Sequence, residues 1–131
     1  MRARRMITVV GCHAGGEIGN VVVGGVLPPG GATVFEQMQT LRREGDSLRK
    51  LLLREPRGSV ACHANLVVPA TRADCDAGFI IMEPTEYPAM SGSNTVAPPG
   101  GRTPPTTTFP ISPPAWQPTT VIIRRARMAR P

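Results

Sequence analysis

From Ala97 to Pro131 the chain offers nothing that could order into a packed layer, and this confines any folded unit to the residues before it. Pro98-Pro99-Gly100-Gly101, Pro104-Pro105, Thr106 to Thr108 and Pro113-Pro114 leave no periodic apolar face. Proline removes a backbone donor and interrupts helices and ladders alike, so this composition buries too little surface to offset the entropy of ordering. The stretch holds nine of the 15 prolines and five arginines without one acidic residue, so +5 of the net charge of +6 belongs to it. The expectation is a disordered tail over 97–131, with Val121 to Ile123 as an isolated strand at most.

Residues 6–96 are long enough for one small domain. Met6 to Val10 and Ile18 to Val23 are β-branched runs ended by Gly11 and by Gly24-Gly25, and read as strands with a loop, Gly11 to Glu17, between them. After the turn Pro28-Pro29-Gly30-Gly31, Thr33 can cap a helix whose apolar positions Val34, Phe35, Met38 and Leu41 recur at helical spacing. Glu36 stands three residues on, at the capping-box offset. Asp46 or Ser47 can cap a second short helix through Leu48, Leu51, Leu52 and Leu53, which Pro56 stops. Gly58 releases the chain into Ser59 to Val68, and a polar turn, Thr71 to Asp76, leads to Ala77 to Met82; both runs read as strands. Strands flanking two helices give an α+β sheet with helices packed on it. Arg42-Arg43 and Arg49-Lys50, interleaved with Glu44 and Asp46, read as solvated helix faces, and Arg54 and Arg57 as anchors of a turn.

Several function classes are disfavoured. The apolar run after Arg2-Ala3-Arg4-Arg5 falls short of the roughly 7–15 residues of a signal-peptide core. No run approaches the roughly 18–20 apolar residues that span a bilayer, so a cytoplasmic chain without membrane attachment is expected. Cys12, Cys62 and Cys75 are odd in number and lack framework spacing, which fits free thiols in a reducing compartment. The charge excess raises nucleic-acid binding, but its confinement to the tail makes that the lesser reading. Cys12-His13 and Cys62-His63 hold the four ligand types of a zinc site. Adjacent strand residues point to opposite faces, however, so one pair does not readily aim both side chains at one ion, and no metal is expected.

Three segments in order carry the chemistry: Cys12-His13-Ala14-Gly15-Gly16-Glu17, Arg54-Glu55-Pro56-Arg57-Gly58 and Met90-Ser91-Gly92-Ser93-Asn94-Thr95. With Val22-Val23-Gly24-Gly25, Gly30 to Thr33 and Ser47-Leu48-Arg49, this series resembles the first domain of the proline racemase family, which includes hydroxyproline epimerases and trans-3-hydroxyproline dehydratases. The resemblance covers about residues 6–95. It implies the first half of a two-domain, diaminopimelate epimerase-like fold and a cofactor-independent enzyme. A small-molecule substrate, proline or hydroxyproline, closes between the domains, each of which supplies one acid/base residue to opposite faces of the α-carbon. A homodimer of the intact relative is a further expectation of the resemblance.

In racemases of the family the first-domain residue is the cysteine of a Met-Cys-Gly-His motif; here Ser91 stands in its place and Ser93 in that of the histidine. A thiol near pKa 8.5 is a competent base, whereas a serine hydroxyl needs activation by its surroundings. The resemblance therefore favours the dehydratase branch, in which one base takes the α-proton and the 3-hydroxyl leaves with a donated proton, and Ser91 is the catalytic candidate on the opposite side. Epimerisation of 4-hydroxyproline and proline racemisation are the alternatives. A small-residue turn entering a helix offers N–H groups to an anion, which makes Gly92, Ser93, Asn94 and Thr95 candidates for the substrate's carboxylate. His13, Gly15, Gly16 and Glu17 match a loop that supports the pocket. Without the resemblance, Ser91 would read as a helix cap and His13 as an ordinary loop histidine.

The family's second domain has no counterpart after Thr95. Abrupt loss of patterning together with an acid-free, arginine-rich composition is what reading a GC-rich gene out of frame gives, so a frameshift near Val96 is expected, with a genuine tail or a fusion boundary as alternatives. A chain so truncated is expected to be marginally stable and inactive. A function of another class, a non-catalytic binding module working through the basic tail, is the competing reading.

Overall fold

The computed structural model describes residues 6–73 and 75–96, with Thr95 and Val96 described by their backbone alone. The expectations for 97–131, disorder or a frameshift, lie outside the described residues.

Two glycines set the first hairpin. Gly15 (φ 60°) and Gly16 (φ 96°) both occupy the left-handed region that a tight two-residue turn requires. They join β1 (Thr8–Ala14) to β2 (Glu17–Gly24) in an antiparallel pair closed by Ala14 and Glu17. The loop expected over Gly11 to Glu17 is therefore corrected: Gly11, Cys12 and His13 are strand residues, paired with Asn20, Gly19 and Ile18.

Thr33 caps α1 (Val34–Glu44) through the full capping box, its hydroxyl accepting from Glu36 N while Glu36 Oε2 accepts from Thr33 N. The buried face of α1 is Val34, Gln37, Met38 and Leu41, with Phe35 exposed. In α2 (Ser47–Leu53) the N-cap residue Asp46 makes no side-chain cap bond, because its carboxylate is turned onto Arg49 and Lys50. A second correction follows. Arg49 is not solvated but buried, donating from Nε and Nη2 to Asp46 at 2.7 and 3.0 Å and from Nη1 to the carbonyls of Glu83 and Pro84. Arg42, Arg43 and Lys50 do face solvent.

The strand expected from Ser59 begins later, as β3 (His63–Pro69), since Ser59 to Cys62 form a turn closed by Cys62 N donating to Ser59 O. With β4 (Ala77–Met82) the sheet has the order β1-β2-β3-β4. Pair β2–β3 is parallel, so its connection must cross over, and α1 and α2 make the crossing. Period-two alternation then divides the sheet into two faces. Val22, Ala64, Leu66, Val68, Ile80 and Met82 pack with Val34, Met38, Leu41, Leu48 and Leu53 of the helices and with Tyr87 as the main core. Val21, Phe79 and Ile81, with Cys12 and Val67 against them, form a smaller cluster on the opposite face. The short α3 (Gly92–Val96) approaches β1 and β3. No disulfide joins the cysteines. Among the described residues no helix is long and apolar enough to cross a membrane, and no group of three or more His, Cys, Asp or Glu is placed to hold a metal ion.

Candidate functional site

The second face of the sheet carries polar chemistry where a central strand would ordinarily be apolar. His63 and Asn65, two apart on β3, point to the side of Val67 and away from the core residues Ala64, Leu66 and Val68. Both are buried, at 3% and 0% exposure, and α3 adds a third buried polar side chain, Asn94, at 2%.

These residues tie Ser91 to the sheet. Asn65 Nδ2 donates to the backbone oxygen of Asn94 at 3.2 Å, and Asn94 Nδ2 donates to Ser91 Oγ at 2.9 Å. Ser93 Oγ lies 3.5 Å from Ser91 Oγ. The strand thus holds the turn before α3 through a relay of two amides, each fixed by the bond it donates. His63 Nε2, Asn65 Oδ1 and Asn94 Oδ1 are buried without a hydrogen-bond partner.

Register explains the imidazole's position. Cys12, Gly19 and His63 form one row across β1, β2 and β3, and a Cβ at Gly19 would overlap Nε2 of His63. Only glycine leaves that room. Burial pushes the His63 pKa down, against the upward pull of the Glu17 and Glu83 carboxylates, and so favours the neutral ring. Burial pushes the Cys12 thiol up, which disfavours a thiolate there.

Of the residues singled out from sequence, Ser91, Ser93 and Asn94 are brought together, and Gly92 and Thr95 lie with Asn94 in α3. Gly92 is exposed. His13, Gly15, Gly16 and Glu17 are exposed at the tip of the β1–β2 hairpin. Alternation puts His13 on the face opposite Cys12 and puts Glu17 on the face of Gly19 and His63. His63, Asn65 and Gly19 were not singled out as site residues. Their signal is the alternation His63-Ala64-Asn65-Leu66, which sets polar side chains on one face of an interior strand. An open groove of about 590 Å³ lies elsewhere, between the loop after β2 and the helices, lined by Val26, Leu27, Leu41 and Leu48.

A family model described as proline racemase matches residues 9–99. The crystal structure of a hydroxyproline epimerase from Agrobacterium vitis, with bound trans-4-hydroxy-L-proline, is similar over 73% of this chain at 41% identity and a TM-score of 0.66. That of a probable proline racemase from Agrobacterium radiobacter K84, with bound carbonate, is similar over 70% at 43% identity and a TM-score of 0.64. The chain spans 29% and 27% of the lengths of these two proteins.

Proposed function

The chain belongs to the proline racemase family, and from that premise we propose that it supplies one wall of a cofactor-independent active site for a proline-type amino acid, with Ser91 facing the substrate's α-carbon. The observation that carries the reading is the bond from Asn94 Nδ2 to Ser91 Oγ at 2.9 Å. A hydroxyl that accepts from an amide directs its own proton elsewhere, and the same bond steadies the charge that develops when that proton leaves. Neither the Asn94 amide nor the Ser93 hydroxyl would activate Ser91 as a base. The role proposed for Ser91 is that of a proton donor.

This role fits dehydration of trans-3-hydroxy-L-proline. A base contributed by the rest of the site takes the α-proton, the C3–O bond breaks, the hydroxyl takes up a donated proton and leaves as water, and a C2=C3 double bond forms. Gly92, Ser93, Asn94 and Thr95 receive the substrate's carboxylate, and Glu17, held by the Gly15-Gly16 turn, supports the pocket from the hairpin, whereas His13 faces the other side of the sheet. A second reading, epimerisation of 4-hydroxyproline, is favoured by the 41% identical epimerase whose structure holds trans-4-hydroxy-L-proline; Ser91 would then return a proton to the α-carbon. The test is a chimera of residues 6–96 with the second domain of the A. vitis epimerase, given each substrate in D2O. Formation of pyrroline-2-carboxylate from the 3-hydroxy substrate supports dehydration. A cis-4-hydroxy-D-proline product carrying α-deuterium supports epimerisation instead, and neither product from a folded chimera defeats both readings.

A further inference from the structure

The two outer strands of the sheet are finished differently. β4 is buried from Gly78 to Met82, whereas in β1 Thr8, Val9, Val10, Gly11 and His13 are all exposed. Alternation puts Val9 and Val10 on opposite faces, and they are 38% and 50% exposed. Strand β1 therefore lies open on both faces, and among the described residues no strand pairs with its outer edge. From Thr8 to Ala14 there is no proline, lysine, arginine or acidic residue, so the edge lacks the devices that ordinarily keep another strand from adding to it. What fits such an edge is an extended β-branched segment that takes up its outward N–H and C=O groups.

The chain itself carries one. Thr119-Thr120-Val121-Ile122-Ile123 is an unbroken β-branched run, bounded by Pro118 and by Arg124-Arg125. It is too short to order alone, but an edge already formed supplies the other half of the ladder. Helix α3 approaches β1, so the chain beyond Val96 sets out beside that strand, and residues 97–118 reach about 25 Å even as a flexible coil. Tethering gives the run a local concentration of about millimolar, above that of a second copy at ordinary protein concentrations. Charge sets the direction. Glu17 is exposed and pairs with Ala14 at the far end of β1, so a run parallel to β1 brings Arg124 and Arg125 to it, whereas the antiparallel direction carries them toward Arg4 and Arg5. We propose that Thr119 to Ile123 adds in cis to the outer edge of β1 as a parallel strand, with Arg124 and Arg125 beside Glu17. This pairing closes the edge most open to another chain.

The test is amide hydrogen exchange of the full 131-residue chain, read by NMR, beside two variants. Ile122→Pro removes a ladder donor within the run, and Thr107→Pro alters the same segment outside it. The β1 amides that do not bond to β2 should exchange about tenfold more slowly in the parent than in Ile122→Pro, the weight of one or two hydrogen bonds, and Thr107→Pro should match the parent. Amides of β3, inside the sheet, should stay equally protected in all three and so report an intact domain. Arg124→Glu with Arg125→Glu should remove part of the β1 protection, and adding Glu17→Arg should restore it. Equal exchange of the β1 amides in parent and Ile122→Pro would overturn the proposal. Protection that survives Ile122→Pro and grows with protein concentration would overturn it too, by assigning the edge to a second copy. Charge reversal without effect would overturn the parallel direction.

Discussion

Replacing Arg49 by methionine should strongly destabilise the helical side of the sheet. Methionine keeps an apolar stem of similar length but removes a guanidinium whose side chain is 6% exposed. That group makes two bonds to the Asp46 carboxylate, two to the carbonyls of Glu83 and Pro84, and stands 5.6 Å from the Tyr87 ring centroid. Removing one partner of a buried ion pair costs about 3–5 kcal/mol. Asp46 remains 22% exposed and keeps Lys50 at 2.9 Å, which places the loss at the lower end, about 3 kcal/mol. For a domain of this size that is about 12–24 °C in Tm. The assay is urea and thermal unfolding of the full chain by circular dichroism, with exposed Arg42→Met as the control, expected within about 0.5 kcal/mol of the parent. The acid limb gives an independent check. Arg49 holds the Asp46 carboxyl well below its ordinary 3.8, with Lys50 and Tyr87 assisting against desolvation. A carboxyl whose folded pKa is depressed contributes stability above its unfolded pKa and loses it as pH falls through the folded value. Arg49→Met should flatten that loss below pH 3.8. A loss no larger than that of Arg42→Met, or an unchanged acid limb, would refute the reasoning.

Other consequences are as direct. Burial, aided by the Asp46 charge, raises the Tyr87 phenol from 10.0 to about 12; stability should therefore fall as pH rises through that interval, and Tyr87→Phe should remove that part of the loss in alkaline unfolding curves. The His63 imidazole should titrate below 6.5 by NMR, because burial outweighs Glu17 and Glu83, and its share of stability should be lost as pH falls below 6.5. Gly19→Ala should drive the imidazole off its row and destabilise the chain by about 1–3 kcal/mol, an effect that His63→Ala should largely relieve in a double-mutant cycle.

Much of the fold was legible because local signals agreed with it. The Thr33–Glu36 pair, the apolar spacing of α1 and the β-branched runs each specified their element, and the order of motifs led to the family. What escaped was decided by partners distant in sequence. Gly11 looked like a strand terminator, but pairing with Asn20 carries β1 past it to the Gly15-Gly16 turn. Arg49 looked solvated beside Lys50, yet one position along the helix turns it onto the Glu83–Pro84 carbonyls, a contact 34 residues away that helix spacing cannot foresee. In the site, Ser91 and Asn94 were visible as a motif. His63 was weighed only as a zinc ligand beside Cys62, and Asn65 only as part of a strand, because their place beside Ser91 depends on α3 lying over β3.

The measurement that tests the central claim most directly is steady-state turnover by the chimera with Ser91 intact and with Ser91→Ala. If Ser91 is the proton donor of this wall, Ser91→Ala should lower kcat by about 10²–10⁴-fold while KM changes little, and the unfolding midpoint should stay where it was. A kcat unchanged by Ser91→Ala in a folded, substrate-binding chimera would contradict the account.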